Sequence, residues 1–540
     1  MAVTWSALWN GARAQGGRLV EAGLRLEEPV LLALPTSELF FTTFFGIHAA
    51  GAVPAPITTP QSLVASRLEW YREHVARIAS DSGARILCTS TRFEPVLREL
   101  VAGFERPLLV IAMDAPNDAR PIDPSSLSPE SLGLLQYTSG STTHPKGVAL
   151  THTGILTNTR IISSAISGPT ESGVSWLPLY HDMGLIGGAL SALYGRTPVL
   201  LMPTPQFIKE PASWLRAIAA FEATITLAPN FAYGHAVRHA PPELLGGISL
   251  ASLKTALNGA EPVDLESVEA FERTYAPLGL RSGVVRPVYG LAESSLAVTF
   301  ADAGRRTIDT VDADALEREG IARPGASGRR RLFVSVGRAL PTQDVRVFDA
   351  DDRERAEREI GEIVVRGPSL MRGYYNRPDE TAEALRGGWL HTGDLGYLHR
   401  GELFITGRAK DLIIRNGRNY HPADIESALA PVDGVLRGGV AAFGYDADGR
   451  ERVVVVVETK LRDEDARADL SRRIRARCHE AFLFGPDDIA LAAAGGIPRT
   501  TSGKVRRHEC RRLYLAGALT TGRTPATRAP ARTTEAPGPS

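Results

Sequence analysis

Short apolar runs alternate with amphipathic helical stretches along the first half of the chain. Val30 to Leu34 is an uninterrupted apolar run that ends at Pro35, which is typical of a strand buried on both faces. Helices are predicted at 37–52 and 60–80, the second with its apolar side chains on one face. Further strands are predicted at 85–89, 108–112, 199–202 and 224–228. This alternation predicts an α/β fold in which helices cover parallel sheets.

A polar loop separates two predicted strands near residue 140. The strand from Leu132 to Tyr137 leads into the hydroxyl- and glycine-rich residues 138–143, and Lys146 precedes a second apolar run. Glycine permits close backbone approach, hydroxyls donate hydrogen bonds and lysine adds a positive charge, so the loop is suited to binding phosphate. The order of the common P-loop is absent because Lys146 precedes Gly147. An exposed Ser/Thr turn is the alternative.

Six motifs occur in an order that resembles one enzyme superfamily. They are T-S-G-S-T-x-x-P-K-G at 138–147, N-G-A-E-P-V at 258–263, Y-G-L-A-E at 289–293, T-G-D at 392–394, T-G-R-A-K-D at 406–411 and P-R-T-T-S-G-K at 498–504. Together they resemble the adenylate-forming superfamily of acyl-CoA synthetases, peptide-synthetase adenylation domains and luciferases. A further motif, W-L-P-x-x-H-D-M-G-L-I-G at 176–187, resembles the fatty acyl-AMP ligase branch.

The resemblance implies a role for each motif residue. ATP phosphates would be bound by Thr138, Ser139, Gly140, Ser141, Thr142 and Lys146. The adenine would lie against Asn258, Gly259, Ala260, Glu261, Tyr289 and Gly290. Asp394 would accept hydrogen bonds from the ribose, Arg408 would contact the ribose or a phosphate, and Glu293 would bind Mg²⁺ through oxygen. The catalytic residues implied are Lys504, Glu293, Lys410 and His181.

The same resemblance implies a tunnel for the acyl chain. Its residues would be Trp176, His181, Asp182, Met183, Gly184, Asn230, Phe231 and Tyr233. For Phe231 and Tyr233 a position in the hydrophobic core is the alternative. His181 and Asp182 are candidates for an acid/base pair, but adjacent residues on an extended segment point to opposite faces.

The resemblance also predicts the domain organisation. A large domain of parallel-sheet subdomains and a β-rich subdomain would span 1–407, and a small mobile α+β domain would span 408–519, with its hinge at Lys410. The charged stretch 301–331 resembles an insertion typical of fatty acyl-AMP ligases, and a solvated surface loop is the alternative. Residues 520–540 are rich in Pro, Ala, Thr and Arg, which predicts a disordered tail.

Composition bears on whether nucleic acids or membranes are partners and on the cellular compartment. The formal net charge is +0, which gives no indication of a nucleic-acid or lipid-surface partner. The three cysteines are scattered and the start of the chain lacks the pattern of a signal peptide, so the cytoplasm is expected. The apolar stretch after Leu39 contains His48 and is followed by Pro54, which favours a buried helix over a membrane span.

The predicted reaction is ATP-dependent activation of a fatty acid to acyl-adenylate, with ATP and Mg²⁺ as cofactors. The acyl group would then pass to a separate holo acyl carrier protein or to a polyketide or peptide synthase. An acyl-CoA synthetase is the close alternative, and a catalytically idle adenylate- or lipid-binding protein is the distant one. The basic run Arg499, Lys504, Arg506, Arg507, Arg511 and Arg512 is either a docking patch for an acidic carrier or a solvated face.

Overall fold

The computed structural model describes residues 2–60, 65–138, 145–166, 171–415, 418–447, 450–482, 484–499 and 505–519. The chain divides into two compact units, Met1–Lys410 and Asp411–Ser540. No helix within these described ranges is long and apolar enough to cross a membrane.

The first unit begins with a small parallel sheet. Its elements are α1 (Trp5–Glu21), β1 (Pro29–Leu32), α2 (Glu38–Ala49), β2 (Val53–Pro56), α3 (Ala65–Ser82), β3 (Ile86–Thr89), α4 (Glu94–Val101) and β4 (Leu109–Ala112). The four strands are parallel in the order β2-β1-β3-β4. Strand β1 is buried throughout, and α2 begins where the Ser37 hydroxyl caps the backbone N–H of Phe40. The apolar stretch after Leu39 is therefore a buried helix, as predicted.

A second, larger sheet follows along the chain. Its region contains β5 (Leu132–Thr138), β6 (Lys146–Thr151), α5 (His152–Ile166), β7 (Gly173–Ser175), a π-helix (Met183–Leu190), α6 (Ser191–Tyr194), β8 (Val199–Leu201), α7 (Thr204–Lys209), α8 (Ala212–Ala220), β9 (Ile225–Pro229), α9 (Asn230–His239), β10 (Thr255–Gly259), α10 (Leu265–Tyr275), β11 (Val285–Gly290) and β12 (Ala297–Phe300). Strands β8-β7-β9-β10-β11 are parallel neighbours, and β12 pairs with β11 in the antiparallel direction. The predicted parallel sheets covered by helices are confirmed.

The rest of the first unit is rich in β-structure. It contains β13 (Ile308–Asp312), α11 (Ala313–Glu319), β14 (Arg330–Val334), β15 (Arg338–Ala339), β16 (Asp344–Phe348), β17 (Gly361–Arg366), β18 (Gly373–Tyr374), α12 (Pro378–Ala384), β19 (Leu385–Arg386), β20 (Trp389–His399) and β21 (Glu402–Arg408). Strands β16, β17, β20, β19 and β21 form one antiparallel sheet, while β18 joins β6 and β5. This β-rich subdomain was also predicted.

The stretch 301–331 is only partly a surface loop: residues 308–319 and 330–331 lie in strands and a helix, whereas 302–307 and 320–329 are irregular. Strands β13 and β14 pair, with α11 between them. Val311, Leu316 and Phe333 are buried in one cluster with Tyr397 and Phe404 of the β-rich sheet. Such apolar burial fixes the segment because releasing it would expose several large side chains to water.

The second unit is a small α+β structure. Its elements are β22 (Ile413–Arg415), β23 (Arg418–Tyr420), α13 (Pro422–Leu429), β24 (Val440–Ala447), β25 (Arg450–Glu458), α14 (Glu464–Phe482), β26 (Asp488–Ala492) and α15 (Arg507–Leu515). Strand β25 lies between antiparallel β24 and parallel β26. Its valines are buried on both faces, in two separate clusters. The predicted tail, 520–540, lies outside the described residues.

Candidate active site

Three of the predicted motifs follow neighbouring parallel strands. Strand β9 ends at Pro229, β10 at Gly259 and β11 at Gly290, and Gly259 is paired with Pro229. The carboxyl ends of adjacent parallel strands meet at one edge of a sheet, where open α/β folds bind ligands. The sequence motifs are thus brought to one edge, as a binding site requires.

Hydrogen bonds link the predicted adenine-binding residues with the predicted acyl-binding residues at this edge. The Asn258 side chain donates to Asn230 Oδ1 over 2.9 Å, and the backbone N–H of Phe231 donates to a Glu261 carboxylate oxygen over 3.0 Å. Ala260 adopts a left-handed conformation with φ of 66°. These contacts fix the turn after β10 against the first turn of α9.

Asp394 is almost fully buried and makes one hydrogen bond and one salt bridge through its carboxylate. Its Oδ2 accepts a hydrogen bond from the Tyr289 hydroxyl over 2.8 Å, and its Oδ1 lies 2.9 Å from Arg408 Nε. Burial, reinforced by the Asp394 charge, holds the pKa of Tyr289 well above its ordinary value, so the phenol stays a donor. Asp394 is therefore an ion-paired acceptor with lone pairs left for further donors.

Glu293 lies in a short 3₁₀ turn, Ala292–Ser294, just after β11. Its Oε1 accepts a hydrogen bond from the Tyr374 hydroxyl over 2.9 Å. Burial raises the pKa of Glu293, and the nearby Asp182 carboxylate raises it further, whereas the bond from Tyr374 and the Arg408 charge lower it. A carboxylate in this state would be stabilised by a cation.

The donor set around Glu293 fits Mg²⁺. No cluster of three or more His, Cys, Asp or Glu side chains is arranged to hold a metal in the part of the chain that the structure describes. Mg²⁺ commonly takes only one or two protein carboxylates and completes its shell with water and phosphate oxygens. Glu293, with the charge of Asp182 nearby, is the residue that would hold such an ion.

Tyr374 joins the phosphate loop to Glu293. Strand β18 places Tyr374 opposite Val148 of β6, and the Lys146 ammonium lies 4.7 Å from the centre of the Tyr374 ring. The tyrosine hydroxyl bonds to Glu293 at the same time. Sequence reasoning missed Tyr374, because only the pairing of β18 with β6 brings it beside residues more than 200 positions earlier in the chain.

His181 and Asp182 share one site, contrary to the argument from an extended segment. Asp182 has φ of −51° and ψ of −48°, and it leads directly into the π-helix. In this helical geometry His181 Nδ1 and Asp182 Oδ1 are 2.6 Å apart. Asp182 also acts electrostatically on Glu293. The pair therefore borders the candidate cation site.

The aromatic residues assigned to the acyl tunnel pack in the hydrophobic core of this structure. Trp176 stacks on Phe207 with 3.9 Å between ring centres, and Tyr233 is fully buried with its hydroxyl bonded to the Leu257 carbonyl. Phe231 is partly buried beside Trp176. Gly184 is held close to Pro178, where a Cβ would lie 2.2 Å from the carbonyl oxygen. A role for these residues in binding a fatty acid stays a prediction.

A family comparison decides the class of protein. Residues 1–375 match the family described as AMP-binding enzyme. The chain belongs to this family.

Individual relatives of this AMP-binding enzyme carry names from both branches that the sequence suggested. It is 34% identical over 91% of its length, and 86% of the other chain, to the Moorena producens medium-chain-fatty-acid–[acyl-carrier-protein] ligase JamA. It is 35% identical, over 96% of its length and 91% of the other, to a Caulobacter vibrioides protein named as an acyl-CoA synthetase. A solved structure from work on fatty acyl-adenylate ligases of E. coli and L. pneumophila matches with a TM-score of 0.89 and 32% identity, covering 95% and 93% of the two chains. Membership of the adenylate-forming ligases and the resemblance to fatty acyl-AMP ligases are confirmed.

Some predicted site residues of the AMP-binding enzyme cannot be placed. Ser139, Gly140, Ser141, Thr142 and Lys504 lie outside the described residues, whereas Thr138 ends β5 and Lys146 begins β6. Lys410 is exposed and is the last residue of the first compact unit. The rotation predicted about Lys410 stays a prediction.

The basic run near the C-terminus is less positive than its sequence suggests. Arg507 pairs with Glu426 over 2.6 Å and with Asp411 over 3.2 Å, and Arg512 pairs with Glu509 over 2.7 Å. Arg499 lies 3.9 Å from Glu458. Nearby carboxylates therefore offset part of the positive charge of these three arginines, and a docking role for the run stays a prediction.

Proposed function

We propose that this adenylate-forming ligase activates a fatty acid with ATP and transfers the acyl group to the phosphopantetheine thiol of a separate holo acyl carrier protein. The observation that carries the adenylation step is the convergence of Glu293, Asp394, Tyr289 and Arg408 around one edge of the large sheet. The names of relatives support a fatty acid as the substrate. We place the reaction in the cytoplasm, because all three cysteines are free and buried.

In the first step a carboxylate oxygen of the fatty acid attacks the α-phosphorus of ATP. A new P–O bond forms, and the bond to pyrophosphate breaks. Asp394 would hold the ribose hydroxyls, while Lys146 would hold phosphate oxygens. Lys504 would stabilise the negative charge that develops at the α-phosphate, the kind of preorganised contact whose loss costs about 10²–10³ in rate. Mg²⁺, held by Glu293, would supply further positive charge to the phosphates.

In the second step the carrier thiol attacks the acyl carbonyl. A C–S bond forms, the C–O bond to AMP breaks, and the thiol proton is released. His181, held by Asp182, borders the site and is the side chain that we assign to receiving this proton. The C-terminal unit would rotate about Lys410 between the two steps and withdraw Lys504.

The folded insertion supports a carrier protein as the acceptor. Beyond its apolar core, Asp309 of β13 accepts a hydrogen bond from the Tyr397 hydroxyl over 2.7 Å and pairs with Arg358 over 3.0 Å. Glu317 of α11 is buried and paired with Arg329 over 2.6 Å. A segment fixed in this way can limit the rotation of a mobile domain and so disfavour free CoA. JamA, named for a carrier-protein acceptor, agrees with this choice.

The direct test is product analysis with a panel of fatty acids. Exchange of labelled pyrophosphate into ATP, driven by a fatty acid, should occur, and its failure with every acid would favour the idle binding protein. With the best acid, holo carrier protein should be acylated, whereas apo carrier protein, which lacks the thiol, should not. Efficient formation of acyl-CoA from free CoA would overturn the proposed acceptor and favour an acyl-CoA synthetase.

A shortened insertion tests why CoA would be a poor acceptor. Asp312 and Arg330 are directly opposite each other in the β13–β14 register, so residues 313–329 can be replaced by an Asn-Gly turn that retains the hairpin. Acyl-CoA formation should rise in this variant, while acylation of the carrier persists as the internal control. If the use of CoA is unchanged, the insertion is not the reason that CoA is a poor acceptor. The proposed adenylation step would be unaffected by this result.

Half-reactions test the assignment of Lys504. Lys504→Ala should abolish acyl-adenylate formation, because the lysine is needed where charge develops at the α-phosphate. Transfer from supplied acyl-adenylate to the holo carrier should be affected much less. An equal loss in both half-reactions would contradict this role.

A further inference from the structure

The strand that carries Asp394 is irregular on both sides of this residue. The pairing of β20 with β17 shifts between Glu362 and Val364, and the pairing with β21 shifts between Leu395 and Gly396. Such bulges redirect side chains and leave backbone groups outside the regular ladder. Gly393, just before Asp394, has φ of 70°. The direction of the Asp394 side chain is therefore set by an unusual backbone that needs support.

Glu362 supplies that support through both oxygens of its carboxylate. Its Oε1 accepts a hydrogen bond from the backbone N–H of Gly393 over 2.9 Å, and its Oε2 lies 2.9 Å from His391 Nδ1. Glu362 is partly buried, with 26% of its side chain exposed, while His391 is 5% exposed. The carboxylate thus spans the residues that lead into Asp394.

Thr392 completes the attachment. Its hydroxyl donates to the Ile363 carbonyl over 2.7 Å and accepts from the backbone N–H of Asp394 over 3.1 Å. Residues 391–394 are consequently tied at each position to residues 362–363 or to one another. Among these contacts, the bond from Gly393 to Glu362 is the one that holds the left-handed residue directly.

We propose that Glu362 is a positioning residue for the nucleotide: by holding Gly393 it directs Asp394 toward the ribose hydroxyls of ATP. This inference rests on the proposed role of Asp394. Among the described residues, the side-chain hydrogen bonds of Glu362 go to Gly393 and His391, whereas those of Asp394 involve Tyr289 and Arg408. The effect of Glu362 would pass through the backbone, so its loss should weaken recognition of the ribose without removing a group that takes part in bond making.

A matched control, Glu357, contacts the other end of β20. Glu357 Oε1 accepts a hydrogen bond from the backbone N–H of Arg400 over 2.9 Å, and Glu357 Oε2 lies 3.3 Å from His399 Nδ1. Arg400 also has a positive φ, 52°. Glu357 therefore makes the same pair of contacts, to a ring nitrogen and to a backbone N–H, at the end of β20 that is distant from Asp394.

The experiment compares ATP with 2′-deoxy-ATP in wild type, Glu362→Ala, Glu362→Gln and Glu357→Ala. In Glu362→Ala the KM for ATP should rise about 10-fold, while kcat and the KM for the fatty acid change by less than about threefold. The preference for ATP over 2′-deoxy-ATP should fall. Glu362→Gln should recover most of this preference, because its amide oxygen can still accept from Gly393. Glu357→Ala should behave as wild type.

Calorimetric titration measures ATP binding without turnover, and thermal unfolding measures the stability of each variant. Together they separate a failure of the proposed function from a failure of the positioning role. An absence of fatty-acid-dependent exchange in wild type would count against the proposed function. The positioning role of Glu362 could still be tested by comparing the binding of ATP and 2′-deoxy-ATP. If Glu362→Ala lowers stability and kcat but retains the wild-type preference for ATP over 2′-deoxy-ATP, the positioning role is overturned. The same holds if Glu357→Ala changes that preference as much as Glu362→Ala.

Discussion

Asp394 and Glu293 are carboxylates of the same candidate site, but the fold gives them different surroundings. Asp394 is paired with Arg408 and receives the Tyr289 hydroxyl, so its negative charge already has a cation beside it. Glu293 has a tyrosine hydroxyl but no salt bridge among the described residues, and its pKa is raised first by burial and then by Asp182. Under the proposed function, Asp394 would accept hydrogen bonds from neutral hydroxyls, and Glu293 would bind a cation.

The different surroundings suit the separate tasks that we propose for these two chemically similar residues. A neutralised carboxylate in a polar cluster can accept hydrogen bonds without a large desolvation cost, because its charge is compensated. A partly buried carboxylate without a cation is destabilised until one arrives, and this favours binding of a metal with its phosphates. The three predictions that follow test this contrast.

The largest effect is expected from Glu293→Gln. Loss of the negative charge should lower the rate of adenylation about 10²–10³-fold, the size typical of one electrostatic contact to a transition state. High Mg²⁺ should partly relieve the defect, because the amide oxygen remains a weak ligand. Titrations of magnesium in the exchange assay measure this, with Glu243→Gln, an exposed residue, as the control. A defect that magnesium leaves unchanged would contradict the metal assignment.

Asp394→Asn should have a smaller effect, and one of another kind. The lost charge-assisted hydrogen bonds to the ribose should weaken ATP binding by about 1–3 kcal/mol. Raising the magnesium concentration should not restore it, since Asp394 is assigned to hydroxyl groups. ATP titrations at low and high magnesium are the measurement. If the magnesium profiles of the two variants coincide, the contrast between the two carboxylates fails.

The smallest effect is expected in the pH dependence of Tyr374→Phe. The Tyr374 hydroxyl lowers the pKa of Glu293 by bonding to the carboxylate, so its removal should raise that pKa further. If the metal assignment is right, activity needs the ionised form and is lost as the pH falls through the pKa, so the acidic limb should move to higher pH. Tyr289→Phe, which removes the hydroxyl beside Asp394, should leave the acidic limb in place. A shift to lower pH in Tyr374→Phe would contradict the assignment.

Local patterns in the sequence were sufficient for the architecture. The apolar run at Val30 predicted a buried strand, and this is confirmed because a strand inside a parallel sheet has two apolar faces. The resemblance implied that Asn258, Tyr289 and Glu293 belong to one site, and the structure places all three at or just after the ends of neighbouring strands, whereas their roles stay predictions. The same local reasoning failed at Asp182, where an extended backbone was assumed and the chain instead turns into a π-helix.

Only the tertiary structure decided which side chains meet across long distances in the chain. Tyr374 reaches Glu293 because β18 pairs with β6, and Glu362 reaches Gly393 because β17 pairs with an irregular β20. The charged stretch 301–331 has a composition typical of a loop, yet its Val311 and Leu316 are buried in one cluster with Tyr397 and Phe404. Sequence determined the local elements and the chemistry of the motifs because both depend on neighbouring residues. Strand pairing and burial determined the partners of Tyr374, Glu362 and the insertion, because these contacts depend on residues that are distant in the chain.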